Sequence, residues 1–307
     1  MNHWNQRTVA KRVSCTGVGL HSGHPATLTL APAPADAGIS FVRMDLGVAI
    51  PARNEFVADT TLSTNLALGK ARVHTVEHVM AALHGMGIDN CRVEVDGPEI
   101  PVLDGSAAPF VCLVQEAGVQ VQRTGRRWLV VDRPVEIRDG DKLARLEPAD
   151  AFSVEFTADF DHPLITNQAF RVTLGDRAFE REVARARTFC FARDIERMQA
   201  AGLAKGGSLE NAIVVDEFSI LNPEGLRFPD EFARHKVLDA IGDLALLGMP
   251  VLGALKAVKS GHALNQALVR KVLADPASHR VVRASKDAQL PRPRGVPGLV
   301  APEGQIA

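Results

Sequence analysis

The chain contains no tyrosine, so no phenol is available as an acid in any site it builds. Cysteine is sparse: Cys15, Cys91, Cys112 and Cys190 lie far apart and make no C-x-x-C pair. That spacing fits a reducing compartment, with the thiols as small buried hydrophobes or inert bystanders. A charge excess is also missing. Lys plus Arg number 35 against 36 Asp plus Glu, a formal net charge of −1, whereas a nucleic-acid binder usually carries a basic surplus. The longest apolar run, "LALLGMPVLGALKAV" (244–258), is too short for a bilayer and is broken by Gly248 and Pro250. "MNHWNQRTVAKRV" at the start has no apolar core of a secretory signal. The reading is a cytoplasmic protein with no transmembrane segment and no nucleic-acid partner.

What remains is globular material. Apolar residues make up 46% of 307 and charged ones 23%, enough for a substantial core in one large domain or two ordinary ones. "ATLTLAP" and "ISFVRM" read as strands. "HTVEHVMAALHGMG" reads as a helix with Val76, Val79, Met80 and Leu83 on one face, stopped by Gly85 to Gly87. The strand "NCRVEVDGP" and the helix "GSAAPFVCLVQEAG" follow. The polar stretch 121–127 suggests a boundary, giving an N-terminal unit 1–124 and a C-terminal unit 128–285.

The second unit repeats the plan. Strands "WLVVDRPVEIRD", "FSVEFTADF" and "QAFRVTL" precede a short helix near "ARDIERMQAAG". Strand "NAIVVD", helix "PDEFARHKVLDAIGDLALLG", strand "VLGALKAVKSG" and helix "HALNQALVRKVLAD" complete it. Each half therefore ends in helix–strand–helix after a run of strands. The expectation is an α+β fold built as a duplicated unit, with a sheet packed against helices in each half. The Pro/Gly-rich tail 286–307 reads as disordered.

In "RHKVLDAIGD", Val237, Leu238, Ile241 and Leu244 form an apolar stripe, and His235, Asp239 and Asp243 recur every fourth residue beside it. A histidine and an aspartate at i, i+4 can reach one ion. Glu77 and His78 occupy the corresponding helix of the first half. If the two helices face each other, His78, His235 and Asp239 make a three-ligand site with an open position, as a hydrolytic zinc centre requires. Two rival readings use the same residues. His74, Glu77 and His78 match H-x-x-E-H, an inverted zinc-peptidase signature. Two histidines and a carboxylate also suit non-haem iron. A non-catalytic sugar-nucleotide or acyl-chain binder is a third class, against which the candidate base Glu77 counts.

Several longer motifs are more specific. "TGVGLHSG" (16–23), "TVEH" (75–78), "GIDNCRVEVDGPEIPVLDGSAAPF" (87–110), "ARTFCF" (186–191), "LRFPDEFARHKVLDAIGDL" (226–244) and "KSGHALN" (259–265), in order over about residues 6–275, closely resemble the UDP-3-O-acyl-N-acetylglucosamine deacetylases. These are the zinc amidases of lipid A synthesis in Gram-negative bacteria. The resemblance implies two similar domains whose helices are sandwiched between their sheets, and an acylated UDP-N-acetylglucosamine substrate; a monomer in the cytoplasm, with at most transient inner-membrane contact, is the accompanying expectation. It makes His78, His235 and Asp239 the Zn2+ ligands, with Fe2+ as an alternative metal in the cell, and Glu77 the general base. His74 is commonly not histidine in such chains, so it is demoted to a surface or helix-start residue.

The same resemblance assigns Thr188 a hydroxyl contribution to the oxyanion site and gives His262 and Asp243 catalytic parts. His262 follows Gly261 at a helix start, where the dipole favours neutral imidazole. A carboxylate partner at Asp243 keeps it cationic instead. Lys236 would meet the sugar nucleotide, Phe189 the hexosamine, and the segment 191–215, with Phe191, Ile195, Met198, Ala212 and Val214, the acyl chain. His21 corresponds to a histidine near the site. Cys190 stands where many relatives carry glycine, so its side chain would narrow the groove.

Overall fold

Five α-helices form among the described residues of the computed structural model, which covers 4–175 and 177–284. They are α1 (Glu77–Gly85), α2 (Ala108–Ala117), α3 (Ala192–Ala200), α4 (Glu231–Leu244) and α5 (His262–Ala274). Their limits have local causes. α1 starts later than its apolar periodicity suggests, because Thr75 sits at φ 60, outside the helical basin. α2 carries proline in its first turn and ends at Gly118, whose φ of 70 a side chain would resist. In α4 the stripe of Val237, Leu238, Ile241 and Leu244 is buried throughout.

Two sheets flank this helical layer. The first has five strands in the order Val13–Val18, Pro25–Pro32, Cys91–Val95, Ile39–Arg43 and Val48–Pro51. The second has seven, with Val251–Val258 at its centre. The two halves echo each other in detail. Cys91–Val95, between α1 and α2 in sequence, pairs antiparallel with Pro25–Pro32 and parallel with Ile39–Arg43. Val251–Val258, between α4 and α5, pairs antiparallel with Lys142–Glu147 and parallel with Phe152–Ala158. One continuous apolar core takes in Leu28, Phe41 and Val93 from the first sheet and Leu146, Val154 and Leu255 from the second. Val79 and Met80 of α1 and Val237 and Leu238 of α4 lie within it. The fold is thus α+β, with the helices between the sheets.

Three local expectations differ from the structure. The polar stretch 121–127 is no bare connection, since Val119–Gly125 forms a strand with Asn5–Val9. "WLVVDRPVEIRD" is two strands, Arg127–Val131 and Val135–Asp139, because Pro134 has no N–H to donate to a ladder. His279–Arg283, not anticipated, closes one edge against Arg127–Val131. Residues 286–307 lie outside those described. No helix among the described residues is long and apolar enough to cross a membrane.

α1 and α4 pack against each other, and Gly242 sets their distance. A Cβ built there would lie 2.1 Å from the carbonyl oxygen of Glu77. Glycine inside a helix is less stable than alanine by about 0.5–1 kcal/mol, so its presence here is explained by this backbone contact. Gly242→Ala should push the helices apart and cost about 1–3 kcal/mol of stability despite its better helix propensity. Urea unfolding midpoints test this, and an unchanged or raised midpoint would refute the close-contact reading.

Candidate metal and catalytic site

The α1–α4 contact brings residues from the two halves of the chain around one small volume. His78 extends from the first turn of α1, and His235 and Asp239 from successive turns of α4. One ligand atom from each lies within 4.8 Å of the others, and all three side chains are buried. The Nε2 atoms of His235 and His78 stand 3.3 and 3.7 Å from Asp239 Oδ1. The two imidazoles meet edge to face, with centroids 5.0 Å apart. His235 Nδ1 lies 3.0 Å from the Ala186 carbonyl, which requires the proton on Nδ1 and turns the Nε2 lone pair inward.

The donor set fits a divalent cation. Asp239 Oδ1 is buried with no hydrogen-bond partner, and a stranded buried acceptor is costly unless something positive meets it. Burial, opposed by Asp239, holds the His235 imidazole down at about 3, so it is neutral and free to ligate at ordinary pH. Burial works against ionising Asp239, but His235, Lys236 and His78 outweigh it and keep the carboxyl well below its usual range. Lys236 Nζ donates to the other Asp239 oxygen at 2.7 Å and lies 5.5 Å from the Phe189 ring centroid.

Beside this trio stands an acid–base pair. Asp243, one turn beyond Asp239, is fully buried. Its Oδ2 lies 2.9 Å from His262 Nδ1 at the start of α5. Burial alone would lower the His262 imidazole, but Asp243, then Glu77 and Asp239, raise it to about 9. His262 is therefore an imidazolium at neutral pH. Its Nε2 faces Glu77 Oε1 at 3.9 Å. Burial raises the Glu77 carboxyl, with His262 and His78 opposing. The result is a buried carboxyl facing a charged imidazole.

These groups open into a cavity of about 400 Å³, within the range of small-molecule sites. Glu77, His78, His235, Asp239, Lys236, Thr188, Phe189, Phe191 and His262 all line it. Cys190 and Met198 line it as well, while Ile195, Ala212 and Val214 do not. Ala212 and Val214 are buried instead, about the strand Ile213–Val215. Leu20, Leu62 and Phe160 contribute apolar wall that no sequence pattern flagged. His21 is close enough to His262 to feel its charge. Its neighbour Leu20 lines the cavity, whereas His21 does not. His21 Nδ1 lies 3.4 Å from Ala204 N, and Nε2 is buried without a partner.

His74 does not join the metal trio. Its backbone N–H donates to Pro98 O, and it precedes the first turn of α1. The H-x-x-E-H reading needs both histidines on one helical face and does not have them.

The segment carrying Thr188 is anchored by groups whose roles the motifs did not reveal. Arg187 is 1% exposed, and its Nε donates to Glu231 Oε1 at 2.9 Å. Glu231 also accepts the Arg187 backbone N–H, while Ala186 O receives His235. A buried charge pair thus ties "ARTFCF" to the first turn of α4. Gly105 allows the same segment to close, since a Cβ there would lie 1.9 Å from Asn211 O.

A family model described as UDP-3-O-acyl N-acetylglycosamine deacetylase (LpxC) matches residues 6–274. A UDP-3-O-acyl-N-acetylglucosamine deacetylase of Anaeromyxobacter sp. (strain Fw109-5) is 83% identical over 96% of this chain and 97% of its own. The protein of that name from Anaeromyxobacter dehalogenans (strain 2CP-C) is 82% identical over the full length of both. The one from Myxococcus xanthus (strain DK1622) is 59% identical over 92% of this chain and 91% of its own. With a match of that extent, and a matched region that contains every residue of the cavity just described, the chain belongs to the UDP-3-O-acyl N-acetylglycosamine deacetylase family.

Proposed function

We propose that the chain hydrolyses the N-acetyl amide of UDP-3-O-acyl-N-acetylglucosamine, releasing acetate and the free amine in lipid A biosynthesis, with zinc at His78, His235 and Asp239. The observation that carries this reading is the convergence of those three ligand atoms beside the Glu77–His262 pair, inside one cavity. Two imidazoles and a carboxylate are a donor set that zinc favours, and ferrous iron is the alternative occupant. Zinc held there supplies Lewis acidity to the acetamide carbonyl and lowers the pKa of a nearby water towards neutrality.

The protein's own groups do the rest. Glu77 Oε1 takes a proton from the attacking water, because Oε2 is already engaged by the Thr64 backbone N–H. Thr188 offers its hydroxyl to the oxygen that becomes negative as the carbonyl carbon turns tetrahedral. His262 Nε2 carries a proton to the departing amine nitrogen, and Asp243 keeps it charged for that purpose. Lys236, a compact point charge, suits the diphosphate of the sugar nucleotide. Phe189 faces the sugar, and Phe191 and Met198 the acyl chain, with Cys190 beside them on the same wall. The reading extends to His21, whose unpartnered Nε2 is a hydrogen-bonding group held behind Leu20, and to a monomeric cytoplasmic enzyme meeting the membrane transiently.

An acetate-release assay on the purified chain tests this directly. Turnover should cease when a chelator strips the protein and return on adding zinc. No acetate release from the acylated UDP-N-acetylglucosamine under any metal would end the proposal. Recovery with ferrous iron but not zinc would replace the metal and leave the reaction in place.

A further inference from the structure

Thr64 lies in the turn between the strands Val57–Asp59 and Asn65–Leu68, on no recognised motif. It is completely buried, yet all three of its polar groups are used. Its backbone N–H donates to Glu77 Oε2 at 2.9 Å. Its hydroxyl donates to Asp243 Oδ1 at 2.5 Å. Its carbonyl accepts the N–H of Val76, immediately before α1, at 3.1 Å. One residue therefore touches the base on α1 and the carboxylate on α4 that charges His262.

We propose that Thr64 is a positioning residue that locks Glu77 and the Asp243–His262 pair into one frame. The inference rests on the roles proposed above for those groups. Two buried carboxylates this close repel each other, and each is stabilised when a donor is fixed between them. Holding Oε2 of Glu77 leaves Oε1 as the oxygen that faces His262. Holding Oδ1 of Asp243 leaves Oδ2 for His262 Nδ1 and Asn265 Nδ2. The other donor to Oδ1 is Gln266 Nε2, at 3.3 Å, so the Thr64 hydroxyl makes the shorter contact. Thr64 itself does not line the cavity, although Thr60 and Leu62 do. Its influence should therefore fall on the chemical step and not on substrate binding.

Thr64→Val keeps the shape and the backbone N–H and removes only the hydroxyl. It should lower kcat by about tenfold to a hundredfold, with KM and zinc content unchanged. Thr64→Ser restores the donor and should recover kcat to within about twofold of the parent. If the valine variant is insoluble, Thr64→Cys puts a far weaker donor at the hydroxyl's position, without the γ-methyl. A second readout needs no turnover: the low-field Nδ1–H proton signal of His262, assigned by its loss in His262→Gln. That signal should move in Thr64→Val and stay in place in Thr64→Ser. Parental kcat and an unmoved signal in Thr64→Val would overturn the proposal. So would a serine variant as impaired as the valine one, or a fall in kcat that merely tracks zinc loss. If the parent protein releases no acetate, the functional reading fails by itself, and the proton signal still decides whether Thr64 holds the frame.

Discussion

Glu77→Gln is expected to lower turnover by about 10²–10⁴-fold while leaving the metal content unchanged. The amide has the shape of the carboxylate, and its oxygen can still accept the Thr64 backbone N–H that now reaches Oε2. What disappears is the Glu77 carboxylate oxygen that faces His262, at 3.9 Å from its Nε2, and can receive a proton there. Glu77 is not among the three converging ligand atoms, so losing its charge removes no metal ligand. Burial has already raised its carboxyl, bringing it closer to the basicity that proton abstraction near neutral pH requires. Acetate release and metal analysis on the same sample make the test. A glutamine variant with parental turnover removes Glu77 from the role of base, and one that loses the metal makes its role structural.

Asp243→Asn should shift the alkaline limb of kcat/KM by about two pH units. The imidazole of His262 titrates at about 9 because Asp243, Glu77 and Asp239 outweigh the effect of burial. The cationic form is thus favoured by folding. Its interaction with Asp243 is fully present below the ordinary histidine value, and it fades as pH rises through about 9. If His262 must carry a proton to the leaving amine, activity falls over that same window. With that carboxylate neutralised, the limb moves back towards the ordinary histidine value of about 6.5. Near pH 8.5, roughly one molecule in a hundred would then hold the needed proton. The loss should be large in mild alkali and much smaller near pH 6. His21 is a further imidazole that senses His262, and burial keeps it below its ordinary value, so it adds no cation in that range. A limb that stays near 9 in Asp243→Asn would contradict the pairing.

The parts of the fold that could be read from residues are those governed by short spacing. The stripe of Val237, Leu238, Ile241 and Leu244 announced α4, and the same four-residue step put His235 above Asp239. The facing of α1 on α4 was arguable only from the repeated helix–strand–helix order, since no local pattern reports a contact between halves of a chain. Gly242 marks that contact, but an isolated helical glycine has many explanations until its neighbour is seen. Positive φ at Thr75 delays α1, and a threonine there gives no warning of it. The strand Val119–Gly125 looked like a polar connection because its partner, Asn5–Val9, lies at the other end of the first unit. Thr64, Asn265 and Gln266 escaped for a related reason. Their hydrogen bonds to Asp243 and Glu77 depend on where turns land, and turn geometry leaves little trace in residue order. His21 sat inside a recognisable motif, yet the motif did not reveal which way its ring turns.

The close approach of α1 and α4 also has a bearing on biogenesis. His78 is synthesised long before His235 and Asp239, so a nascent chain holds only one of the three proposed ligands until most of it has left the ribosome. With the proposed ligand set, metal capture would be coupled to the long-range docking of α1 on α4. An incompletely assembled molecule has little means of sequestering a scarce cation, and metal content becomes a gauge of how much of a preparation has matured.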